Sequence, residues 1–285
     1  MTAVLLIISI FAQVLQQVCR KEYNKKVSGN PLSFSAAGVF AGLLYFLVLS
    51  GGQLALQGEM FLYILPFALC YTIAYVCTIY AIQYGPLSLT SLLISCSVVI
   101  PLLYGVVFLN EPVTLFLIAG IVFLFSGITL VSEPWNKEAV QISPKWVVYI
   151  SATFLSNGIC MILQKNFQLK YQGAHSNTFM VYSLAITFLT LCVFVFVRER
   201  KRFFKTIGSK NIIWPIFCGT GNGVANQLTM MVATALPASF LYPVQAAGGI
   251  ILTAAVSILL YKEKLSFAQK IGFVMGIVAV IAFNL

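Results

Sequence analysis

A chain that crosses a bilayer must satisfy its own backbone polar groups. In the absence of a closed barrel it must do so as helices of about 20 apolar residues each. The 285-residue chain is written almost wholly in such runs. Hydrophobic residues make up 60% of it and charged residues only 8%, where soluble domains run near a quarter charged. There are 17 Lys or Arg and 7 acidic residues; all the acids are Glu, no Asp occurs, and the single His is His175. This balance excludes a soluble globular protein, a disordered chain and a basic-patch nucleic-acid binder. It leaves an all-α, multi-pass integral membrane protein whose first partner is the lipid bilayer.

Ten apolar runs can be counted, near 2–19, 32–50, 60–82, 87–109, 113–132, 145–165, 176–197, 211–234, 238–260 and 266–284. Pro31, Pro86, Pro112, Pro144 and Pro237 stand where new helices would start. Pro66, Pro101, Pro215 and Pro243 fall inside runs and predict kinks. The first run has no basic residue before it; Arg20 and Lys21 follow it, which reads as a retained helix and not as a cleaved signal.

Alternating the loops between two membrane faces tests the count. One face receives 15 of the 17 basic residues, including Arg20, Lys21, Lys25, Lys26 and the 198–210 loop. The other receives only Lys165 and Lys170. Lys and Arg gather on the cytoplasmic side, so both termini are expected outside. Lys165 reads as a side chain that snorkels to the interface.

An internal repeat divides the runs into two sets of five. Tyr84-Gly85-Pro86-Leu87-Ser88-Leu89 opens a helix that ends at Asn110-Glu111-Pro112; Ala235-Leu236-Pro237-Ala238-Ser239-Phe240 opens one that ends at Lys262-Glu263-Lys264. Glu111 precedes Gly120, and Glu263 precedes Gly272, by the same nine residues, and each Glu is followed by a hydroxyl, Thr114 or Ser266. The repeats are read as 1–132 and 145–285, with 133–144 as linker. Five is odd, so the second copy enters the membrane inverted, an architecture that recurs in transporters.

Ten short helices in two inverted fives, with Pro opening the fourth and ninth and Glu after each, resemble the drug/metabolite transporter superfamily, and within it the EamA-type ten-helix members. The resemblance covers essentially the whole chain. It implies a multi-pass plasma-membrane carrier of small organic solutes such as amino acids or other metabolites. Such members usually keep both termini in the cytoplasm, whereas the charge count here puts them outside.

Every Glu falls in a loop or at a run end, so no carboxylate stands mid-membrane as a proton site. The seven Cys lie in apolar runs without CxxC pairing and read as buried hydrophobes. No metal-ligand spacing, catalytic cluster or cofactor motif is present, so no cofactor, no metal and no enzyme is expected. The candidate solute-binding residues are polar or aromatic groups inside runs: Gln13 and Gln17 on the first, Tyr71 and Tyr75 on the third, Ser91 and Ser95 on the fourth, Asn157 on the sixth, Asn222 and Asn226 on the eighth, Tyr242 and Gln245 on the ninth. Gln16 shares the face of Gln13 and Gln17. The plain alternative is that such groups hydrogen-bond between helices as glue, worth about 0.6 kcal/mol each. Glu111 and Glu263 are either carboxylates favoured by the dipole of the helix that follows or gates. Gly272 and Gly276 form a GxxxG pair on the tenth run, for close packing within the fold or for a homodimer.

The expectation is therefore an alternating-access secondary carrier, its cavity lined by helices 1, 3, 4, 6, 8 and 9. The alternatives are a drug exporter or lipid-linked solute flippase of the same fold and, from another class, an integral-membrane enzyme.

Overall fold

The computed structural model describes residues 2–26, 31–84, 90, 93–94, 96–132, 143–207, 212–261 and 267–282; the side chains of some residues within these stretches, Gln17 among them, are outside the description. Among the described residues the helices are α1 (Thr2–Lys26), α2 (Pro31–Ser50), α3 (Phe61–Tyr84), α4 (Val99–Phe108), α5 (Leu115–Ser132), α6 (Pro144–Tyr171), α7 (Ser176–Ile207), α8 (Ile213–Ala233), α9 (Ala238–Tyr261) and α10 (Phe267–Ala282), with a 3-10 turn at Gly58–Met60. Four stretches are by themselves long and apolar enough to cross a membrane: Leu32–Ser50, Gly58–Thr78, Pro144–Tyr171 and Ser176–Val197. Val48, Leu62, Leu115, Val148, Val197 and Leu259 are each at least 67% exposed. Apolar side chains spread so widely over the surface suit lipid and not water.

The helix ends follow local chemistry. Pro31 and Pro144 open α2 and α6, and Pro237 immediately precedes α9, because Pro lacks the N–H that a first turn leaves unpaired anyway. Thr114 Oγ1 accepts from the Leu117 N–H at 3.0 Å and caps α5. Pro215 stands in the first turn of α8, so it forces no kink there. Pro66 and Pro243 lie inside α3 and α9. Ahead of α4 the chain makes a turn at Ser97–Val98. Ser97 is the residue whose carbonyl an N–H at Pro101 would have taken; it instead accepts from Ile100 at 3.1 Å. The basic segment 198–207, expected as loop, continues α7 as helix, since its Arg, Glu and Lys residues are good helix formers.

The chain divides into two compact units, 1–79 with 163–234 and 80–162 with 235–285. Each takes helices from both sequence halves. In the first, α1 packs on α8, and α2 on α7 and α8. In the second, α5 packs on α10, α4 on α9, and α9 on α10. Repeat mates therefore lie against one another: α2 with α7, α4 with α9, α5 with α10. A two-fold relation between halves produces such self-paired contacts.

Glycines set the closest approaches. On α8, Gly219 and Gly223 share one face toward α2. The Gly38 carbonyl oxygen occupies the place a Cβ on Gly219 would take, and the Tyr45 ring the place of one on Gly223. Gly221 turns toward α1, where a Cβ would sit 3.4 Å from the Ala12 oxygen. In the second unit a Cβ on Gly127 would meet the Gly272 oxygen at 2.8 Å and the Gly276 nitrogen at 3.2 Å. The GxxxG pair on α10 thus packs closely against α5 within the fold.

Gly219→Ala should destabilise the purified protein by about 1–3 kcal/mol, because the Cβ meets main chain that cannot swing away. Gly249→Ala, with nothing within 4 Å of its added Cβ, should be neutral or slightly stabilising. Thermal unfolding of the two variants in detergent measures the difference.

Candidate functional site

Lipid offers no hydrogen bonds, so polar side chains in a membrane unit find partners in the protein or line a wet cavity. The first compact unit gathers a continuous chain of them from four helices. Asn222 on α8 is its hub. Its Nδ2 donates to Gln16 Oε1 on α1 at 3.1 Å. Its Oδ1 accepts from the Tyr71 hydroxyl on α3 at 2.9 Å and from Asn226 Nδ2 at 2.9 Å. Asn226 Nδ2 also donates to the Asn222 main-chain oxygen at 2.9 Å. Asn226 Oδ1 accepts from Gln164 Nε2 on α6 at 3.3 Å. Gln16 and Gln164 are buried, while Tyr71, Asn222 and Asn226 are half-buried. The ladder is uncharged throughout.

Aromatic rings flank it. The Tyr71 ring stacks on Phe67, with centroids 5.3 Å apart, and Tyr75 lies tilted against Tyr71 at 4.9 Å. Phe67, Tyr71 and Tyr75 recur every four residues along α3, so one helix face presents three rings in line.

Of the expected site residues, Tyr71, Tyr75, Asn222 and Asn226 come together here. Gln13 is half-buried one turn before Gln16 and stands outside the chain of bonds. Ser91, Ser95 and Glu263 lie outside the described residues, as does the side chain of Gln17. Asn157, Tyr242 and Gln245 belong to the second unit. Asn157 is half-buried and Gln245 buried. Tyr242 is buried, with its hydroxyl donated to the Met161 carbonyl at 2.7 Å, so its polar end is committed to main chain. Gln164 was not anticipated from the sequence; the available signal was an amide inside the sixth apolar run, beside Lys165.

Glu111 was expected to serve the helix that follows it, or a gate. The structure gives its carboxylate a different helix. Asn110 adopts the left-handed conformation (φ 52), and the Glu111 N–H bonds back to the Gly105 oxygen at 3.1 Å. That turn aims both carboxylate oxygens at the start of α9: Oε1 accepts from the Ala238 N–H at 2.7 Å and Oε2 from the Ser239 N–H at 2.8 Å. These are two orphan donors at the positive end of a helix dipole. Thr114, not Glu111, caps α5.

Lys165 does not snorkel. It is 3% exposed, and its ammonium donates to the carbonyl of Ala233, the last residue of α8, at 2.6 Å, a favourable place for a cation. Lys170 pairs with Glu59 at 2.9 Å in an exposed bridge and lies over the Tyr63 and Tyr171 rings. The Glu111, Lys165 and Lys170 contacts each join segments that the ten-span alternation places on one membrane face. The two basic residues on the sparsely charged face thus have specific structural partners.

Compared with known proteins, the chain matches the profile of the EamA-like transporter family over residues 1–133 and 144–285. No curated protein matches. A solved structure titled only as the crystal structure of a protein superimposes with a TM-score of 0.81 over 99% of this chain and 95% of its own, at 10% identity. That likeness is one of fold alone.

Glu111→Gln keeps the size of the side chain but turns one acceptor into a donor facing an N–H. It should cost about 1–3 kcal/mol, the penalty of an unsatisfied buried donor. Glu59→Gln, at an exposed ion pair, should leave the unfolding midpoint unchanged. Thermal unfolding of both variants checks this.

Proposed function

The chain belongs to the EamA-like transporter family, multi-pass membrane transporters of the drug/metabolite kind, and from that premise we propose that it is a secondary carrier of small organic solutes, such as amino acids or other metabolites, across the plasma membrane. The amide ladder on α1, α3, α6 and α8 is its solute-contacting surface. One observation carries this reading: four amides and a tyrosine from four helices converge in one apolar unit. Holding helices together in lipid does not require so many polar groups, since each such bond adds only about 0.6 kcal/mol.

Inverted repeats give inward- and outward-open shapes similar energies, which alternating access needs. The ladder contains no carboxylate, and the carboxylate of Glu111 is occupied as a helix cap. Transport through this surface therefore needs no proton site of the intramembrane-carboxylate type, and the solute it suits is neutral or zwitterionic.

Reconstituted vesicles test the proposal. Uptake of an amino-acid and metabolite panel should include at least one solute carried above empty vesicles, and its rate should survive collapse of the pH gradient. Asn222→Ala removes the hub and should reduce that uptake at least about tenfold while protein is still inserted, since it strips partners from Gln16, Tyr71 and Asn226 together. Uptake that strictly requires a pH gradient, or an unaffected Asn222→Ala variant, contradicts the reading.

A further inference from the structure

The amide ladder has a direction, and a single main-chain atom sets it. An amide side chain can be turned end for end, exchanging its oxygen and nitrogen, so a chain of amides alone has no fixed polarity. Here Asn226 bonds the main-chain oxygen of Asn222, which can only accept. Its nitrogen must therefore lie on that side. The same nitrogen meets the side chain of Asn222, so Asn222 turns its oxygen toward Asn226 and its nitrogen toward Gln16. Gln16 must then accept, through Oε1. On the other side, the Asn226 oxygen faces Gln164, which must donate, through Nε2. Each step follows from the one before.

The two ends are consequently unlike. Gln16 retains an unused donor, Nε2, and Gln164 an unused acceptor, Oε1; neither has a partner among the described residues. Gln16 is 7% and Gln164 5% exposed. The half-buried Tyr71–Tyr75 pair adjoins the ladder at Asn222.

We propose that Gln16 and Gln164 are the specificity-determining ends of the site, and that the site takes a solute, neutral overall, that brings a hydrogen-bond acceptor to Gln16 and a donor to Gln164. A carboxylate or carbonyl answers the first, an ammonium or N–H the second. The inference rests on the ladder being the solute-contacting surface, and it adds the polarity and the two residues that impose it. A site built to hydrogen-bond a group rejects the analogue that lacks it, because its own polar atom is left unpaired.

Three probes of matched shape separate the ends: phenylalanine carries both groups, 3-phenylpropanoate only the acceptor, phenethylamine only the donor. Binding is read by calorimetry on the full-length protein in lipid nanodiscs. Phenylalanine should bind at least about tenfold more tightly than either half-probe. Gln16→Glu keeps the acceptor toward Asn222 but replaces the free donor with a carboxylate oxygen. It should reverse the preference, favouring phenethylamine over phenylalanine. If Gln16→Glu does not fold, Gln16→Met is read instead and should abolish the preference for phenylalanine over phenethylamine. A purely structural Gln16 would weaken all three probes alike. Phenylalanine binding no tighter than the half-probes, an unchanged order in the Gln16 variant, or binding of none of the three overturns the inference. Vesicle uptake of any other solute would still uphold the carrier reading, so the two failures are distinct.

Discussion

A polar group inside a bilayer has to find its hydrogen-bond partner in the protein, and most of this structure can be read as the working out of that constraint. Backbone groups are satisfied by closing nearly every described residue into helix. Where helices end or break, specific side chains and turns take over: Thr114 caps α5, Ser97 accepts from Ile100 where Pro101 cannot donate, and Lys165 covers the last carbonyl of α8. Glu111 supplies both oxygens to the first donors of α9. The amide ladder meets the same constraint by pairing Gln16, Asn222, Asn226 and Gln164 with one another, which leaves a donor at one end and an acceptor at the other.

Close packing is the second consequence. Lipid tails are as apolar as leucine, so helices gain little by burying apolar side chains against each other and gain more by close backbone approach. Gly219 against Gly38, and Gly127 against Gly272 and Gly276, provide that approach. The same approach brings the donors on α8 within reach of α1, so the glycines and the ladder share one helix. Gly221 lies against α1 one residue before Asn222 bonds Gln16.

Fold class, helix number and repeat were legible in the sequence because they depend on one-dimensional quantities: run length, loop charge and the spacing of Pro, Glu and Gly. The mates Tyr71/Tyr75 and Asn222/Asn226 were also visible as repeat-equivalent pairs, and Tyr71 does bond Asn222. What could not be read is which helix a side chain meets across space. Glu111 looked like a cap for α5 by proximity in sequence, yet a left-handed Asn110 sends it to α9. Lys165 looked like an interfacial cation because its distance from the run's end permits snorkelling, but the end of α8 offers it a carbonyl. Gln164 was hidden by its ordinary setting, with no spacing pattern to mark it. The helical continuation of α7 through its basic segment shows that charge density alone does not mark a helix end.

The central claim is that solute touches the ladder, and site-directed protection measures this directly. With the native cysteines replaced and a single cysteine introduced at Gln13, one turn from Gln16, a water-soluble thiol reagent should react in vesicles containing the protein. A solute that the vesicles carry should slow that reaction in proportion to its occupancy. A cysteine that never reacts from either side of the membrane, or one whose rate ignores a carried solute, would contradict the account and leave the amides as packing.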